Sequence, residues 1–110
     1  MPILDESARY HLLKKLGADP TLSQRDLARE LGFSVGKVNY CLRALLDKGY
    51  VKATNFTNSK NKSGYLYKLT PAGITAKAMA TKRFLELKQL EYEQLASEIE
   101  ELRREAQAQP

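Results

Sequence analysis

The sequence predicts a mainly α-helical fold of the α+β class: three short helices, a small β-hairpin and one long C-terminal helix. Three observations predict it. Apolar residues recur at helical spacing through the first 48 residues. The period then drops from 3.6 to 2 in two runs, YVKATNF at 50–56 and YLYKLT at 65–70. Beyond Pro71 a seam steps by three and four almost to the end of the chain. The 110 residues suffice for one modest core.

The elements follow in order. Residues 5–16 place Ala8, Leu12, Leu13 and Leu16 on one side, with Asp5 and Glu6 at the positive end and Gly17 as the expected stop. Ser23 opens a second helix, with Asp26 three residues on as a capping-box partner; Leu27, Ala28 and Leu31 face inward and Gly32 ends it. Ser34 caps a third helix, 34–48, whose apolar positions are Val35, Val38, Cys41, Leu42, Leu45 and Leu46, with Gly49 closing it. Asn58, Asn61 and Gly64 suit the turn between the two strands. Thr70 followed by Pro71 marks the start of the last helix, 71–106. Its seam is Leu85, Lys88, Tyr92, Leu95, Ile99, Leu102 and Ala106, in which Lys88 is the poor fit. The expected division is 1–70 for the compact domain, 71–106 for the long helix and 107–110 for a disordered tail.

The charge of +5 is unevenly spread. Residues 48–85 hold eight Lys or Arg and no acid, whereas residues 86–110 hold seven acids and three bases. An acid-free middle points to a polyanion, and the acidic tail to a separate role. No apolar run spans a membrane and the N-terminus resembles no signal peptide, so the chain reads as cytoplasmic. One cysteine and one histidine exclude an internal disulfide and leave no metal cluster; no nucleophile–base pairing or phosphate loop is present, so an enzyme and a cofactor are not expected.

Ala28, Gly32 and Val38 carry the sharpest local motif. The alanine allows two helices to approach, the glycine takes a tight turn, and the β-branched residue fills the angle between the helices. With leucines at core spacing they form a helix-turn-helix, and the following hairpin makes it a winged one. On the third helix, Gly36, Lys37, Asn39, Tyr40 and Arg43 fan out opposite Val38 and Leu42. That set suits the major groove of double-stranded DNA. Arg43 or Lys37 matches guanine O6 and N7, and Asn39 matches adenine N6 and N7. Ser34 and the free amides at the helix start suit a phosphate, and Ser23 and Gln24 at the start of the second helix are further candidates.

The hairpin tip, expected at 57–64, explains the polar stretch NFTNSKNKSGYLY. Lys60 and Lys62 suit phosphates, and Asn58, Ser59 and Asn61 suit hydrogen bonds beside them. Phe56, Tyr65 and Tyr67 are read as anchors of the strands against the helices rather than base-stacking platforms. Leu85, Tyr92, Leu95, Ile99 and Leu102 are the dimerisation candidates, because one small domain leaves so long a stripe uncovered. Cys41 falls inward and reads as core filler, with redox sensing the alternative. His11 reads as a partly buried structural residue, and Arg103 and Arg104 as partners of Glu100 and Glu101.

The chain resembles the MarR family of winged-helix transcriptional regulators. SVGKVNYCLRAL, the wing NFTNSKNKSGYLY and the exit LTPAGI look like the short MarR-type regulators associated with exopolysaccharide biosynthesis. The resemblance covers residues 7–105. It implies a homodimeric, sequence-specific regulator on a pseudo-palindromic operator, with exopolysaccharide genes as targets. It leaves a small-molecule effector open. The wing departs from the family's Asp-x-Arg turn, since NSKNKSG has neither residue. A protein-interaction module docking along the long helix, or a non-specific architectural DNA-binding protein, is the alternative.

Overall fold

In the computed structural model, residues 5–57 and 63–108 are described. The order is α1 (Glu6–Ala18), α2 (Gln24–Leu31), α3 (Val35–Asp47), β1 (Val51–Thr57), β2 (Ser63–Leu69) and α4 (Pro71–Ala108). The expected fold is therefore present, with boundaries shifted by a few residues. The strands are longer toward the tip than the alternation implied. They pair antiparallel from Val51↔Leu69 to Thr57↔Ser63.

The caps are formed by the residues the sequence offers. The Ser23 hydroxyl oxygen accepts the Asp26 backbone N–H, and the Asp26 carboxylate accepts the Ser23 N–H, both at 3.0 Å. The Ser23 N–H, and after it the Ser23 hydroxyl, favour the ionised carboxylate and hold Asp26 below its ordinary pKa. Gly32 ends α2 at φ +71°, a left-handed conformation that favours glycine. One hydroxyl joins the hairpin root to α4: Thr70 Oγ1 donates to the Gly49 carbonyl at 2.6 Å and accepts the Gly73 N–H at 3.0 Å. Gly73 lies so close to the residue before β1 that a Cβ there would sit 1.9 Å from the Tyr50 carbonyl oxygen.

The core joins the helices and the root of the hairpin. Leu12, Leu13, Leu27, Val38 and Leu45 are fully buried, and Cys41, Leu42, Val51, Tyr67, Ala76 and Ala80 complete it. Small residues let α4 lie against α1, and Phe84 closes that contact by stacking on Tyr10, with ring centroids 4.5 Å apart. His11 is half-buried against both rings, at 5.0 Å from Tyr10 and 5.4 Å from Phe84. Past Phe84 the helix runs on alone, which stretches the molecule to 71 Å along one axis against 28 Å across.

Four details differ from the expectation. α1 continues through Gly17 and stops at Asp19, whose N–H bonds back to the Lys15 carbonyl. Val35, expected inside, is 46 % exposed, because the first residue of α3 lies beyond the angle that Val38 fills. Tyr65, expected as an anchor, is 53 % exposed, so Tyr67 alone of that pair is buried. Arg103 and Arg104 make no ion pair with a described carboxylate within 4.0 Å, in keeping with how little exposed pairs on a helix contribute. The side chain of Phe56 lies outside the described residues.

Candidate nucleic-acid interface

α3 separates two chemistries. Val38, Cys41, Leu42 and Leu45 point into the core, while Gly36, Lys37, Asn39, Tyr40 and Arg43 are exposed on its other sides. The helix starts at Ser34, whose hydroxyl oxygen accepts the Lys37 backbone N–H at 3.0 Å. Ser34 itself is exposed, so the positive end of α3 faces solvent beside Lys37.

A chain of two hydrogen bonds is the first polar contact that prepares this face, and it was not visible in the sequence. Gln24 Nε2 donates to the Tyr67 hydroxyl at 3.0 Å, and Asn39 Nδ2 donates to Gln24 Oε1 at 3.3 Å. A chain of side chains thus runs from β2 through the start of α2 to the middle of α3. Gln24, expected as a DNA contact, holds Asn39 by its carbonyl. Ser23, the other candidate there, has its N–H taken by Asp26.

The second contact is electrostatic. Lys37 Nζ lies 3.5 Å from Asp5 Oδ2 and 4.3 Å from the centre of the Phe33 ring. Asp5 also caps α1, since its Oδ1 accepts the Ala8 N–H at 2.6 Å. Lys37, one of the candidate DNA contacts, is therefore engaged by a carboxylate at the start of α1. Cys41 behind that face has its thiol pKa pushed up by burial, with the nearby Lys37 charge opposing weakly. That is the environment of an inert thiol.

The wing-tip candidates Asn58, Ser59, Lys60, Asn61 and Lys62 lie outside the described residues. The strands leading to them carry a further feature. Lys52 and Lys68 are directly opposed across the hairpin and both are exposed. Like charges at such a pair repel, and an anion between them relieves that repulsion. The rest of the acid-free stretch lies elsewhere: Lys77, Lys82 and Arg83 belong to α4, and Arg83 is 3.6 Å from Glu6. Continuous in sequence, the basic stretch is divided in space between hairpin and long helix.

The dimerisation candidates are all on α4 and all open to solvent, from Ile99 at 42 % to Tyr92 at 73 %. Among the described residues, no group of three or more His, Cys, Asp or Glu is placed to hold a metal, and no helix is long and apolar enough to cross a membrane.

Comparison with known proteins agrees with this geometry. Residues 7–52 match the winged helix-turn-helix DNA-binding family. No curated protein matches the chain in sequence. Among solved structures, the transcriptional regulator PcaV from Streptomyces coelicolor, solved with its natural ligand, is similar at TM-score 0.66 and 21 % identity, over 93 % of this chain and 74 % of that one. MepR, a transcription regulator of the Staphylococcus aureus multidrug efflux pump MepA, is 26 % identical at TM-score 0.58, over 94 % and 74 %. A MepR variant of the same TM-score has been solved bound to an oligodeoxyribonucleotide. The zinc-dependent MarR family regulator AdcR is 26 % identical at TM-score 0.56, over 88 % of this chain and 63 % of its own. The turn motif, the wing and the long terminal helix give this chain the winged helix-turn-helix fold that these MarR-type regulators share.

Proposed function

We propose that the chain is a homodimeric transcriptional regulator that binds a specific, pseudo-palindromic site in double-stranded DNA. One observation carries this reading: the exposed side of α3 concentrates Lys37, Asn39, Tyr40 and Arg43 around Gly36, directly opposite the buried Val38 and Leu42. In the proposed complex α3 enters the major groove. Arg43 reads a guanine edge and Asn39, steadied by Gln24, reads an adenine. Lys60 and Lys62 at the wing tip, together with the Lys52–Lys68 pair, contact the flanking backbone.

The DNA-bound MepR variant supports the use of this fold on DNA, and the exposed stripe of α4 supports pairing of two copies. Two-fold symmetry then requires half-sites separated by about one helical turn, ~34–36 Å. The resemblance to exopolysaccharide-associated regulators makes promoters of such genes the first to examine.

The experiment is recovery of bound fragments from the source genome, followed by footprinting. The proposed function predicts a recurrent inverted repeat protected over two adjacent turns. Protection without a common sequence would indicate an architectural role, and no recovery at low salt would favour a protein-docking module.

A further inference from the structure

The apolar stripe of α4 changes character along its length. Its proximal part is wide open and has small residues in its middle: Ile74, Ala78, Thr81 and Leu85 are all exposed. Its distal part is large: Tyr92, Leu95, Ile99 and Leu102. Steps of three and four keep these positions on one side of the helix. The charges beside the stripe change too. Residues 77–88 carry Lys77, Lys82, Arg83 and Lys88 against Glu86 alone, whereas residues 91–105 carry six glutamates against Arg103 and Arg104.

We propose that this stripe is covered by α4 of a second copy lying antiparallel to it, with Leu85 of each copy against Leu95 of the other. In that register Thr81 meets Ile99, Ala78 meets Leu102 and Lys88 meets Tyr92, so toward each end of the contact a small residue faces a large one. The basic segment of each helix runs beside the acidic segment of the other. Near the two-fold axis, Lys88 keeps its own Glu91, at 3.1 Å, and lays its stem on an aromatic ring. A parallel pairing does the opposite at every point. It sets Lys88 on the seam against its own copy, places alanine against alanine, and aligns glutamate-rich segments side by side.

The inference rests on the dimer part of the proposed function and is independent of which DNA is bound. It is tested by measuring the distance between nitroxide labels on a Gln107→Cys variant by pulsed dipolar spectroscopy. Gln107 is exposed on the last turn of α4 and lies off the stripe, while Cys41 is 1 % exposed and escapes labelling. With a rise of ~1.5 Å per residue, antiparallel pairing about residue 90 puts the labels about 50 Å apart. A distance below about 20 Å would establish parallel pairing and overturn the proposal. Absence of dipolar coupling with a monomeric sedimentation mass would overturn any α4 pairing. DNA affinity measured on the same sample then shows separately whether the DNA-binding reading survives.

Discussion

Gln24 Nε2 donates a hydrogen bond to the Tyr67 hydroxyl oxygen at 3.0 Å, and this contact ties the start of α2 to the second strand of the wing. Tyr67 is 6 % exposed, so the acceptor is held in place by the core. The other end of the Gln24 amide accepts from Asn39. Tyr67→Phe keeps the ring and removes the acceptor. It is expected to cost about 0.5–1.5 kcal/mol of stability, the usual value of one such bond. Because Asn39 loses its guide, affinity for the specific site should fall several-fold while affinity for random DNA stays unchanged. Titration of both DNAs with the variant checks this; an equal fall on both would show that the chain of bonds does not orient a reading residue.

Arg43 and the wing lysines should behave differently from each other. Arg43→Ala should cost about 1–3 kcal/mol on the specific site and relax the preference at one base pair. Replacing both Lys60 and Lys62 with alanine should weaken all sequences alike and flatten the dependence of log K on log salt by about two. An unchanged salt slope would remove the wing tip from the DNA.

If Lys37 contacts DNA as proposed, Asp5 competes for it, given their 3.5 Å separation. Asp5→Asn removes the charge but keeps a good N-cap for α1. The pair is exposed and its worth is about 0.2–1 kcal/mol, so DNA affinity should rise by about 1.4- to fivefold with little change in stability. Lower affinity in that variant would place Asp5 outside the binding face.

Gly73→Ala tests the junction between domain and long helix. Its new methyl would overlap the Tyr50 carbonyl, which also accepts the Thr70 N–H at 3.1 Å. Backbone on both sides must move, so a loss of about 3 kcal/mol, the upper end for overpacking, is expected in thermal or denaturant unfolding. A loss below about 0.5 kcal/mol would mean that α4 is not seated against the backbone at Tyr50.

Asp26 sets a pH dependence. Its bonds to Ser23 depress its folded-state pKa below the ordinary value of 3.8, so the unfolded chain binds the proton more readily. The capping box therefore contributes fully above that value and is lost as pH falls through the lower, folded-state pKa. Asp26→Asn, which removes the titrating carboxylate, should remove that portion of the acid-unfolding curve while leaving the rest. An identical acid transition in wild type and variant would show the box to be inconsequential.

Local signals made much of the fold legible. Ser23, Ser34 and Thr70 cap helices, and Gly32 turns one, because those effects act within three or four residues. Ala28 and Val38 announced the helix-turn-helix because close approach leaves few residue choices. Contacts between distant parts of the chain were hidden. Nothing in the run SQRDL tells that Gln24 meets a tyrosine 43 residues away. Nor does periodicity reveal that Val35 falls outside the helix–helix angle or that Tyr65 turns to solvent. The acid-free stretch read as one surface because sequence shows charge order, whereas the turn at Thr70 sends its last three cations onto another element.

The most direct test of the account is the ratio of affinities for a genome-selected site and for random DNA of equal length, measured at two salt concentrations with wild type and Arg43→Ala side by side. The account predicts at least ~10³-fold preference at physiological salt in the wild type, reduced by the variant mainly through the specific site. Equal, steeply salt-dependent binding of both DNAs by both proteins would contradict it.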